Sequence, residues 1–166
     1  MKTFTIFFAI IFISINLTAQ RISGTYAIQN IKTGKNLRPF EAGSQDGNKI
    51  VLYNHVEWKC MTWDFIHTDG DTYQLKNLFT SKTFQPLGNS SAGCTLEQQK
   101  LIPGRVVQEW EFVREGKDSY YIRLKGTELY ITISDASGKT NSSIILQPKR
   151  DTDLQLWKLV GQNPTM

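Results

Sequence analysis

Gln108-Glu109-Trp110-Glu111-Phe112 is the stretch on which the reading of this chain turns, because it recurs at a fixed interval. Forty-seven residues on stands Gln155-Leu156-Trp157-Lys158-Leu159, and 47 residues back stands Met61-Thr62-Trp63-Asp64-Phe65. In each copy a Trp is followed by one charged and one apolar residue. Working outward, Tyr26, Tyr73 and Tyr120 keep the same interval, as do Ile28, Leu75 and Ile122, and Leu37, Phe84 and Ile131. Four columns in one register mark an internal repeat, and such repeats are read before anything else. The units run approximately over 24–70, 71–117 and 118–164. A Trp at every unit end beside an apolar neighbour predicts a core layer, so Trp63, Trp110 and Trp157 are assigned to structure.

Each unit is β in character. Segments such as Thr25-Tyr26-Ala27-Ile28-Gln29 and Ser119-Tyr120-Tyr121-Ile122-Arg123-Leu124 alternate as half-buried strands do. Asp46-Gly47, Asp69-Gly70, Gly88-Asn89 and Ser137-Gly138 supply turn chemistry between them. The first unit is expected to hold strands near 25–31, 36–40, 49–54 and 62–67, the others following at about 47-residue offsets. No window keeps a helical period long enough for a helix. Twelve short strands in three equal units can close a barrel with a hairpin cap, whereas a propeller needs more blades of four.

Residues 1–19 pair Lys2 with an apolar run from Phe4 to Leu17 and the small-residue exit Leu17-Thr18-Ala19, which reads as a secretory signal peptide cleaved before Gln20. Residues 20–166 then form a single domain, secreted or periplasmic. With 19 Lys and Arg against 15 Asp and Glu, the formal charge is +4, and it falls to +3 once Lys2 is removed. The basic residues are scattered, unlike the clustered footprint of a nucleic-acid binder. Cys60 and Cys94 are open to two readings, a disulfide or two free thiols. No CxxC, HExxH, Gly-x-Ser-x-Gly or phosphate-cradling loop is present, so the expectation is a non-enzymatic domain without metal or cofactor.

Gln108-Glu109-Trp110 and Gln155-Leu156-Trp157 resemble the Gln-x-Trp motif of ricin B-type lectins. The opening Tyr26-Ala27-Ile28-Gln29-Asn30-Ile31-Lys32-Thr33-Gly34-Lys35-Asn36-Leu37 resembles that family's first hairpin, and the first unit departs at Cys60-Met61-Thr62-Trp63. The resemblance implies an all-β β-trefoil with pseudo-threefold symmetry and a sugar-binding function. It also implies an Asp directly after the residue that closes the first hairpin, where this chain has Arg38, Gln85 and Thr132. The family's Asn before Gln-x-Trp is matched to Lys59, Val107 and Leu154, so both polar anchors are missing. The aromatic platform is matched to Tyr53, Gln99 and Gln147, and only Tyr53 is aromatic. The candidate ligand site is therefore on the first unit: Tyr53, His55 and Trp58, with Arg38 and Asp46 nearby. The expected ligand is a glycan bound with altered specificity. Loss of the anchors leaves a second reading open, a module or inhibitor that binds an extracytoplasmic protein. In a third, Tyr53 and Trp58 only cover the barrel rim.

Overall fold

The computed structural model describes residues 21–165, so the expected signal peptide lies outside the described residues. Twelve strands follow in chain order. The first unit holds β1 (Thr25–Asn30), β2 (Asn36–Pro39), β3 (Ile50–Tyr53) and β4 (Thr62–Asp69). The second holds β5 (Thr72–Asn77), β6 (Thr83–Pro86), β7 (Leu96–Gln99) and β8 (Glu109–Arg114). The third holds β9 (Tyr120–Leu124), β10 (Leu129–Ile133), β11 (Ile144–Pro148) and β12 (Trp157–Gly161).

Antiparallel pairing closes a ring. β1 pairs with β4, β4 with β5, β5 with β8, β8 with β9, β9 with β12, and β12 returns to β1. Closure removes the sheet edges that would otherwise expose unpaired backbone. The remaining strands form three hairpins, β2–β3, β6–β7 and β10–β11. Single bridges join these hairpins to one another, Lys49 with Glu97, Val51 with Ser143 and Thr95 with Ile145. A six-stranded barrel capped by a triangle of hairpins is a β-trefoil.

The repeat columns fill its interior. Ile28, Leu75, Ile122, Leu37, Phe84, Ile131 and the three unit-end tryptophans are all 0% exposed. Strand alternation sends these positions inward from every unit, so threefold symmetry in sequence becomes a layered core. Phe84 packs edge-on against Trp63 at 5.1 Å between ring centroids and tilted against Trp110 at 5.0 Å. Between the third and fourth strands of each unit the chain makes a 3-10 turn, at Lys59–Met61, Val106–Gln108 and Asp153–Gln155. Cys60 and Cys94 are both free thiols, the first buried and the second half-buried, which settles the open reading of the cysteines.

Candidate functional site

The 3-10 turns expose the difference between the units. Gln108 accepts the Ile102 backbone N–H at 2.9 Å and donates to the Lys100 carbonyl at 3.0 Å and to Gln85 Oε1 at 3.1 Å. Gln155 repeats the pattern, accepting from Arg150 N–H at 2.7 Å and donating to the Pro148 carbonyl and Thr132 Oγ1, each at 2.9 Å. Each glutamine thus ties the incoming loop to the second strand of its own unit. Met61 holds the matching place in unit one and has no amide to offer. The loop from Asn54 to Trp58 is free of this clamp and takes its own course.

That course brings four of the five expected residues together. Tyr53 ends β3 opposite Asn36. Its ring stacks on Trp58 with 6.3 Å between centroids and 29° between planes. Arg38, two residues along β2, lays its guanidinium 3.4 Å from the Tyr53 centroid. His55 is exposed and its Nδ1 lies 2.9 Å from Asn36 Nδ2. Asn36 Oδ1 in turn accepts from Gln29 Nε2 at 3.2 Å, which links His55 through Asn36 to β1. Asp46 is placed apart. It sits in the loop at the other end of the β2–β3 hairpin and pairs with Lys82. It lines a separate cleft of about 380 Å³ with Phe40, Gln45, Asn48 and Lys49.

A smaller hollow of about 220 Å³ opens beside Trp58, lined by Ala42, Trp58, Cys60 and Phe79. Phe79 is 54% exposed. The turn Phe40–Ala42 carries Ala42 to this hollow with two successive non-glycine residues in the left-handed region, Glu41 at φ 51° and Ala42 at φ 53°. Such conformations persist where surrounding contacts enforce them. Here Asn48 donates to the carbonyls of Phe40 and Gly43 at 2.9 and 3.0 Å, and Gln98 donates to those of Gly43 and Gln45 at 3.1 and 3.0 Å.

The hollow adds two residues that sequence reasoning missed, Cys60 and Phe79. One signal was available: the 47-residue register sets Cys60, not Lys59, opposite Val107 and Leu154, which corrects the match given for the family's Asn. Phe79 lies in a turn of the second unit, and nothing in its own unit points toward Trp58. The match of Tyr53 with Gln99 and Gln147 follows the strand register, in which the three stand opposite Asn36, Thr83 and Tyr130.

A family model described as ricin-type beta-trefoil lectin domain-like matches residues 59–157. Among solved structures, the designed threefold-symmetric protein ThreeFoil gives a TM-score of 0.79 at 22% identity, covering 83% of this chain and 99% of its own. The Rhizoctonia solani agglutinin gives 0.77 at 17% identity, covering 87% and 99%. A Macrolepiota procera ricin B-like lectin, solved in complex with lactose, gives 0.72 at 21% identity, covering 86% and 99%. At these identities the likeness establishes the fold. No curated protein matches the chain.

Proposed function

The chain belongs to the ricin-type β-trefoil lectin domain-like family, and on that premise we propose that it is an exported, non-enzymatic module that binds carbohydrate at its first unit, with altered specificity. The observation that carries this reading is the Tyr53–Trp58 pair, stacked beside an apolar hollow on the one unit released from the glutamine clamp. Aromatic faces pack against the apolar face of a sugar ring, and a hydroxyl-rich ligand also needs directional polar groups. His55 and Arg38 supply such groups next to the pair. The M. procera lectin in its lactose complex supports the general class of ligand. Residues 1–19 support export to the periplasm or exterior.

A glycan array probed with the purified protein at two salt concentrations tests the proposal. Specific, salt-insensitive signals are expected, and the double variant Tyr53→Ala/Trp58→Ala is expected to lose them while melting as a folded trefoil. Undiminished binding by that variant sinks the site. A second reading, docking of an extracytoplasmic protein, is favoured by Phe79, exposed at the rim of the same hollow. An empty array together with a stoichiometric protein partner would select it.

A further inference from the structure

A buried charge is ordinarily kept with a partner, because removing it from water alone is costly. Arg38 departs from that rule. It is 6% exposed and its Nε–H is buried without a hydrogen-bond acceptor. Among the described residues, no carboxylate forms an ion pair with it. Tyr53 covers one face of the guanidinium. A cation–π contact uses that face and not the in-plane N–H donors, of which Nε–H has no acceptor while the guanidinium also reaches the Cys60 thiol.

The other units serve as internal controls. Gln85 accepts from Gln108, and Thr132 accepts from Gln155. In the first unit both members of the pair differ together: Arg38 stands for the acceptor and Met61 for the donor. A satisfied neutral contact is thus replaced by a cation with donors to spare. Cys60 does not supply the missing negative charge, since burial pushes its thiol pKa up despite the neighbouring Arg38. Where the family resemblance implies an acidic acceptor for sugar hydroxyls, this unit presents a donor fork. The complementary ligand group is an acceptor, and the planar edge of a guanidinium favours one that is compact and planar. A carboxylate meets both conditions and matches a guanidinium edge through two parallel hydrogen bonds.

We propose that the first unit binds a carboxylate-bearing saccharide, a uronate or a sialate, with Arg38 forking onto the carboxylate while Tyr53 and Trp58 flank the site. The inference rests on the carbohydrate reading above and narrows it to acidic sugars. Stacking against Tyr53 holds the fork in place before the ligand arrives, which reduces the ordering cost of binding.

Titration of the ¹⁵N-labelled protein with trigalacturonate and sialyllactose, each beside its own methyl ester, separates the possibilities. The ester keeps the sugar and removes the charge. Expected is at least about tenfold tighter binding of one acid than of its ester, the size of one charge-assisted contact. The Arg38 Nε–H and Trp58 indole N–H resonances should shift on binding. Arg38→Gln should level acid and ester, and Arg38→Lys, which keeps charge without the fork, should restore only part of the preference. The responding acid identifies the source of the carboxylate. Equal binding of acid and ester, or shifts that spare Arg38, overturns the inference and leaves the carbohydrate reading standing. Silence from both acids overturns the inference as well, and if the neutral glycans of the array are also silent, the carbohydrate reading falls with it. The wild-type Arg38 resonance decides the matter even if the variants fold poorly.

Discussion

Gln155 Nε2 donates to Thr132 Oγ1 at 2.9 Å, tying the turn that opens the last strand to the second strand of the same unit. The side chain is 0% exposed and serves two backbone groups besides, the Arg150 N–H and the Pro148 carbonyl. Replacing it with Met, the residue unit one already carries, strands these groups. Gln155→Met is therefore expected to cost about 1–3 kcal/mol, the range for buried polar groups left without a partner. Met61→Gln is expected to destabilise as well, because Met61 is 0% exposed and an amide buried there finds no such partners waiting. Urea midpoints check both variants, and a wild-type midpoint for Gln155→Met would show that the clamp does not hold its turn.

The three core tryptophans are not equivalent either. Trp63 donates its indole N–H to the Leu37 carbonyl at 3.2 Å, and Trp157 donates to that of Ile131 at 3.1 Å. The Trp110 indole N–H is buried with no acceptor. Removing an unsatisfied donor recovers part of its desolvation cost, whereas removing a satisfied one strands a carbonyl. Trp110→Phe should accordingly be milder than Trp63→Phe or Trp157→Phe by about 1 kcal/mol. Trp110→Ala, which empties the ring volume, should cost roughly 3–5 kcal/mol. Thermal melts across the series test the order, and near-wild-type melting of Trp110→Ala would contradict the core assignment.

Most of the architecture is legible in the sequence, because strand period, turn residues and the 47-residue register all describe local or repeated features. Ile28, Leu75 and Ile122 can be placed on one buried layer without coordinates. The site is harder to read, since its members meet by tertiary contact. Phe79 reaches the Trp58 hollow from a different unit, and Asp46 turns to Lys82 on the far end of its hairpin. Asn30 and Asn77 end the first strands of their units. Both are 0% exposed, and their amides stitch distant turns, Asn30 to the Asp153 and Leu156 carbonyls and Asn77 to that of Cys60. Arg38 is named from the sequence as a site residue, but its burial is not legible there: an Arg in a strand reads as surface until its missing partner is seen.

The two thiols provide the last test. Cys60 is 5% exposed and forms one wall of the Trp58 hollow, and burial holds its pKa above the ordinary thiol value. Thiolate is the reactive form, so iodoacetamide should label half-buried Cys94 first and Cys60 slowly, through opening of the fold. The same shift sets a pH dependence. With the folded-state pKa raised, the unfolded chain releases the proton first, so the contribution of Cys60 is intact below the unfolded thiol pKa. It is lost as pH rises through the folded value. Burial raises Tyr73 and Tyr121 in the same direction. The melting temperature should therefore fall on the alkaline side, and Cys60→Ala should soften the first part of the decline. A ligand seated against Trp58 would slow Cys60 labelling further, by favouring the closed state. Equal labelling of the two thiols would mean that the hollow stands open to reagents, and that Cys60 is not sealed behind Trp58.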